Sequence, residues 1–331
     1  MNKSIDLCGL GNGLVDLQYE ISEEELLSLK IAKGLMTLVA EEEQASYLEL
    51  LKDKKEHKCS GGSAANTIIG FTQFGANAAY NTVLGNDKYG LFYASEFEEL
   101  GIELEAELLD DTPTGTCLIL ITPDSERTML TSLGASAKFE LKNLNEEIIS
   151  RSKWIYLEGY KLSQESSADA MFKAVELAKK HNTKIAFTFS DAFIINCFYD
   201  GVKKITEQSD LIFCNEQEAI TYTKQNDYDK AVRELYKSCP NIVVTRGALG
   251  SVVLFDGKKF NIPAYKVQAI DSTGAGDMYA AGFLWGIIKL NNAEKAGNLG
   301  SIASSQVVSQ LGPRLNDSFF NTFKEKAGVN Y

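Results

Sequence analysis

Asp271-Ser272-Thr273-Gly274-Ala275-Gly276-Asp277 sets two carboxylates around a glycine-rich turn, directly ahead of the apolar run 278–286. Glycines in front of an apolar helix leave its first amides without acceptors, and the helix dipole adds about half a positive charge there. The result is an anion hole with Asp277 standing in the first turn among the amides. A carboxylate at that place can cap the helix or take a proton from a hydroxyl. A cap alone does not require Gly-Ala-Gly ahead of it.

A second polar grouping is Gly61-Gly62-Ser63-Ala64-Ala65-Asn66. Paired glycines let the main chain approach a ligand, and Asn66 can both donate and accept. The same residues equally suit a helix start with small packing side chains. A third is GLGNG at 9–13, followed by Asp16 in an apolar stretch. Leu14 stands where G-x-G-x-x-G needs its third glycine, and a strand follows where a dinucleotide site needs a helix. Asp16 falls just past the end of the first strand, where open α/β sheets bind ligands, and its carboxylate can accept two hydrogen bonds from a vicinal diol. No G-x-x-x-x-G-K-[ST] occurs, so a P-loop is excluded.

The 331-residue chain has an ordinary globular composition, 44% apolar and 24% charged, with a net charge of −12. Such a charge gives no global field for nucleic acid. Six cysteines without CxxC spacing read as reduced thiols, and two histidines argue against a zinc site. The segment 278–290 is far short of a ~20-residue span, and 1–8 has no signal-peptide core. The expected address is cytoplasmic, with no membrane partner.

Strands are expected over 5–13, 14–22, 34–40, 78–85, 154–159, 184–190, 211–215, 241–247 and 251–257. Hairpins are expected across 102–131. Helices are expected from Ser22, a capping-box start, and over 41–55, 89–100, 165–180, 216–224, 229–237, 275–289 and 293–310, with another from Ser63. Alternating strands and helices imply a doubly wound parallel sheet, interrupted by β-rich pieces near 13–40 and 105–131.

Four segments together resemble the ribokinase-like (PfkB) carbohydrate and nucleoside kinases. GGSAAN and DSTGAGDMYAAGF resemble the family's two signatures. Asn215-Glu216-Gln217-Glu218 is similar to its N-x-x-E motif, and Thr245-Arg246-Gly247 with Gly250 to its nucleotide-site segment. GNGLVD at 11–16, ERTMLTSLGAS at 126–136, FSDAF at 189–193 and SQLGPR at 309–314 resemble the adenosine kinase branch, with Gly13 in place of a proline.

The resemblance implies an α/β fold, a ribokinase-like αβα sandwich with a mostly parallel central sheet and a small β-sheet lid. The large unit would comprise 1–12, 41–104 and 132–331, and the lid 13–40 and 105–131. It implies ATP-dependent transfer to a primary hydroxyl, with adenosine giving AMP. A sugar kinase for ribose, fructose or 2-keto-3-deoxygluconate is the alternative, and a non-catalytic nucleoside-binding protein a further one. Asp277 would be the base, with Gly274, Ala275 and Gly276 around the phosphoryl group. Asn12, Asp16, Gly61, Gly62 and Asn66 would hold the acceptor. Asn215, Glu218, Thr245, Gly247, Gly250 and the lid residue Arg127 would serve the nucleotide. Mg²⁺ would arrive with ATP, ordered by Asn215 and Glu218, and K⁺ could sit near Asp271. Leu14, Leu133, Ala135 and Tyr160 are candidates for an apolar base slot; each equally suits the core, and Leu133 suits the core better. A monomer or homodimer is expected.

Overall fold

Ile5–Leu10 (β1) is buried along its whole length, as a strand covered on both faces must be. The computed structural model describes residues 3–124, 126–310 and 312–328. Ser125, in the turn expected at 123–127, and Leu311, in SQLGPR, lie outside the described residues. The other strands are Leu14–Glu20 (β2), Met36–Leu38 (β3), His57–Gly61 (β4), Ala78–Gly85 (β5), Glu103–Leu109 (β6), Thr114–Ile121 (β7), Arg127–Gly134 (β8), Ser152–Glu158 (β9), Lys184–Thr188 (β10), Leu211–Asn215 (β11), Ile242–Thr245 (β12), Ser251–Phe255 (β13) and Lys258–Ile262 (β14).

Nine strands form one sheet in the order β14-β13-β12-β11-β10-β9-β1-β5-β6. All pairings are parallel except the β12–β13–β14 meander. Side chains alternate between its two faces. Trp154 and Tyr156 enter one core with helices Ser63–Gln73 and Ala275–Leu290, while Ile155 and Leu157 enter the other with Glu165–Lys180. This is the expected α/β architecture.

The other five strands form a second sheet, β3-β8-β7-β2-β4, as the lid reading expects. Its membership differs from the expected boundaries at two places. Glu103–Leu109 pairs in parallel with β5 and closes the edge of the large sheet. Its alternation looks like half of a hairpin with β7, but helix Lys88–Glu99 connects β5 to it as a parallel crossover. His57–Gly61 pairs antiparallel with β2 and forms an edge of the small sheet. Its sequence, HKCSG, carries no apolar alternation that would mark a strand. The hairpin of β7 with β8 forms as expected.

The chain crosses between the sheets near Gly11–Gly13, Gly61–Gly62, Asp110–Pro113 and Gly134–Ala135. The crossings at 11–13 and 61–62, Leu133 at the end of β8, and residues at or just past the C-terminal ends of β9, β10, β11 and β12 surround one cavity.

Candidate active site

The cavity holds about 630 Å³ between the two sheets. Its wall includes Asn12, Asp16, Gly62, Asn66, Asn215, Glu218, Thr245, Gly274, Ala275, Gly276 and Asp277. Residues more than 250 positions apart in the chain thus meet at one place, as the motifs imply.

Asp277 stands in the first turn of helix Ala275–Leu290. Gly274 precedes it at φ 73°, a left-handed conformation that leaves the helix without a side-chain cap. Ala275 N–H donates to the Ser272 carbonyl at 3.2 Å, and the first bond back along the helix is Met278 N–H to Gly274 O at 2.9 Å. The amides of Gly276 and Asp277 therefore remain for an anion, and a side chain placed on Gly276 would meet open space. Ala275 N, expected among the anion donors, is instead engaged in the turn.

Asp277 Oδ1 accepts from Ser63 Oγ at 2.6 Å, and Oδ2 from Asn66 Nδ2 at 3.1 Å. The Thr67 hydroxyl donates to the Asp277 carbonyl at 3.2 Å. Helix Ser63–Gln73 thus fixes the start of helix Ala275–Leu290 and orients its carboxylate. Burial pushes Asp277 up to about 6, against the pull of Ser63, Asn66 and the Arg314 charge.

Asp16 lies on β2 between Cys59 of β4 and Cys117 of β7. It is buried, and burial raises it to about 7 against the charges of Arg314 and Arg127. A Cβ on Gly61 would fall 2.2 Å from Asp16 Oδ1, so the carboxylate rests against bare main chain. Gly62, at φ +101°, lies against the Asn12 carbonyl, where a Cβ would come within 2.2 Å. Both glycines serve the close approach of two chain crossings. Gly61 itself stands behind Asp16 rather than in the cavity wall.

Asn215 and Glu218 form a capping box at helix Glu216–Thr223. Asn215 Nδ2 donates to Glu218 Oε1 at 2.7 Å, and burial raises Glu218 to about 7. Thr245 lines the cavity at the end of β12, but Gly247 and Gly250 occupy the turn into β13 and lie outside the wall.

Arg127 is also outside the wall. It is buried at the start of β8, with Nη2 2.7 Å from Asp271 Oδ2. Asp271 further accepts from Thr273 N at 3.0 Å and Gly312 N at 3.0 Å. The Asp271 carboxylate thus already holds a guanidinium and two amides. Of the apolar slot candidates, Leu14, Leu133 and Tyr160 line the cavity; Ala135 is packed in the core.

Three further charged residues stand at the site; Glu158 and Lys161 carry no motif signal, and Arg314 ends the SQLGPR segment without being singled out by it. Arg314 Nη1 donates to Asn66 Oδ1 at 2.8 Å, and its other terminal nitrogen donates to the Ser60 carbonyl. Glu158 accepts from Asn12 N at 2.7 Å and Ala64 N at 2.8 Å. Lys161 bonds Asn12 Oδ1 at 3.1 Å. Glu158 follows an apolar strand, and a charge at a strand's C-terminal end is the one sequence cue that points to it.

A buried carboxylate beside the free amides of a helix start, under a small second sheet, is an arrangement that phosphoryl transfer to a hydroxyl can use. The pfkB family carbohydrate kinase model matches residues 26–318, and the chain belongs to that family. It is therefore a sugar or nucleoside kinase. It is 26% identical over 325 residues to the adenosine kinase of Saccharomyces cerevisiae, covering 92% of this chain and 95% of that one. It is 29% identical over 311 residues to a 5-dehydro-2-deoxygluconokinase of Halalkalibacterium halodurans, covering 89% and 92%. The crystal structure of adenosine kinase from Sinorhizobium meliloti superimposes with a TM-score of 0.89 at 30% identity, covering 97% and 99%.

Proposed function

We propose that the protein transfers the γ-phosphoryl of ATP to the 5′-hydroxyl of adenosine, giving AMP. The observation that carries this reading is the cavity face of the small sheet. Leu14, Met36, Leu38, Ile119, Met129 and Leu133 lie on it at alternating positions along their strands, with Asp16 as its carboxylate. The large unit adds Phe193, which is 56% exposed. A broad apolar surface with one carboxylate suits a flat base joined to a diol better than a free sugar.

In this reading Asp16 accepts the two ribose hydroxyls and Asn12 donates to the same substrate. Asp277 takes the proton of the attacking hydroxyl, with Ser63 and Asn66 holding its two oxygens in place. The Gly276 and Asp277 amides stabilise charge on the transferring group. The small sheet excludes water that would otherwise accept the phosphoryl group. Asn215 and Glu218, bonded to each other at the cavity wall, suit a hydrated Mg²⁺ that would be carried in on ATP and ordered through water. Such an ion neutralises phosphate charge. A cytoplasmic place in purine salvage belongs to the same proposal, supported by six free cysteines. No helix among the described residues is long and apolar enough to cross a membrane.

The test is a panel of adenosine, ribose, fructose and 5-dehydro-2-deoxygluconate with ATP and Mg²⁺. Adenosine is expected to lead the sugars by at least ~10³-fold in kcat/KM, because losing the base removes several kcal/mol of burial and stacking. The reverse order would move the protein to the sugar-kinase side, a reading supported by its 29% identity to a 5-dehydro-2-deoxygluconokinase.

A further inference from the structure

Lys161 is 2% exposed, in the short helical turn Gly159–Ser163 that follows β9. A buried ammonium loses its water and must be held by other acceptors. Its Nζ donates to Asn12 Oδ1 at 3.1 Å and to the Ser136 carbonyl at 2.8 Å, and lies 4.8 Å from the centre of the Phe139 ring. Burial lowers its pKa, and the charge of Glu158 opposes that. The phosphoryl-transfer machinery makes no use of this group.

Its two oxygen partners sit on two chain crossings between the sheets. Asn12 stands where the chain leaves β1 for the lid, and Ser136 where it returns from β8. The Ser136 hydroxyl also accepts from Gly13 N at 2.8 Å and donates to Gly13 O at 3.0 Å. The Asn12 main chain is held as well, its N–H by Glu158 and its carbonyl by the Tyr80 hydroxyl at 2.8 Å.

An ammonium donates and cannot accept. The Asn12 amide must therefore turn Oδ1 toward Lys161 and Nδ2 away from it. Among the described residues Nδ2 has no acceptor, and Asn12 is part of the cavity wall. Asn66 shows the same device in completed form. Arg314 holds its Oδ1, and its Nδ2 is delivered to Asp277.

We propose that Lys161 is a positioning residue for the acceptor substrate. It fixes the Asn12 amide so that the cavity presents an N–H donor beside the Asp16 acceptor. The enzyme thereby selects substrates carrying an oxygen acceptor at that point. The inference rests on the reading of this cavity as the acceptor site.

The test is steady-state kinetics of the full chain with adenosine, or with whichever sugar of the panel the wild type phosphorylates. Asn12→Ala and Lys161→Met are each expected to raise the acceptor KM about tenfold, the weight of one hydrogen bond, with the ATP KM unchanged and kcat within about threefold. The double variant is expected to be no worse than Asn12→Ala, since both remove one interaction. Lys161→Gln keeps an N–H donor and is expected to recover most of the loss. Additive effects, or a loss in kcat with the acceptor KM unchanged, would overturn the proposal. If Lys161→Met fails to fold, a Lys161→Gln KM as high as that of Asn12→Ala overturns it equally, whereas recovery supports it. An Asn12→Ala variant with wild-type KM also overturns it. Asp16→Ala separates the two readings: if it too leaves KM unchanged, the assignment of the cavity has failed, not only the role of Lys161.

Discussion

The guanidinium of Arg127 lies 2.7 Å from the carboxylate of Asp271, with both side chains almost wholly buried. Arg127 begins a strand of the small sheet and Asp271 begins the glycine-rich turn ahead of helix Ala275–Leu290. Their ion pair couples the small sheet to that turn.

Removing one partner of such a pair leaves the other charge buried and alone, which costs about 3–5 kcal/mol. Asp271 keeps two backbone donors, so Arg127→Ala is expected near the lower end of that range. Urea unfolding measures it. The Arg127→Ala/Asp271→Asn double variant should be more stable than Arg127→Ala, and a double variant that is less stable would show that the pair does not act as a unit.

Asp277→Asn is expected to fold and bind ATP yet lose most turnover, since a positioned base contributes about 10²–10⁴-fold. Turnover at saturating acceptor, with a melting curve as control, decides it. A variant keeping more than about a tenth of the wild-type rate would remove Asp277 from the base role.

The acid limb of kcat/KM should lie near pH 6–7. Asp277, raised to about 6, must be ionised to take a proton, and Asp16, raised to about 7, must be ionised to accept from both hydroxyls. Activity therefore rises with pH through this window. Stability moves the other way. A carboxyl whose folded pKa is raised binds its proton more tightly when folded, so its contribution is full below the unfolded value and is lost as pH rises through 6–7. The melting temperature of the substrate-free protein should fall from pH 5 to pH 8 on account of these groups. Ser63→Ala removes a donor that stabilises the Asp277 carboxylate and should move the acid limb upward. An unmoved limb would mean that Asp277 does not govern it.

Asp16 is expected to read the diol. Each hydrogen bond to a carboxylate contributes roughly 1.5–3 kcal/mol, so 2′-deoxyadenosine should have a KM at least about tenfold above that of adenosine. Equal use of the two nucleosides would remove Asp16 from that role.

Gly61→Ala tests the contact behind Asp16. The added methyl falls 2.2 Å from Oδ1 and must displace the carboxylate or the strand. Acceptor KM should rise while ATP KM stays constant. Wild-type kinetics for both substrates would show that the carboxylate position is unimportant.

The sequence by itself determined the glycine-led helix start that carries Asp277. Gly274 to Asp277 are contiguous, and a helix start organises consecutive residues through local hydrogen bonding alone. It determined the parallel sheet too, because buried strands alternating with helices admit few other arrangements. The position of Asp16 at the cavity was legible from its place after an apolar strand. The partition of strands between the two sheets was not. β4 is too polar to announce itself, and β6 has the alternation of a lid strand, yet its place is set by pairing with β5 across the crossover helix. Tertiary structure alone decided what each charge touches. Arg127 looks free to reach phosphate until Asp271 is brought to it from 144 positions away. Glu158 and Lys161 belong to no motif, and Arg314, though it ends SQLGPR, has its side-chain partners outside that segment; they matter because folding brings them beside Asn12 and Asn66. A buried charge must find partners, those partners come from remote segments, and no local pattern records such an encounter.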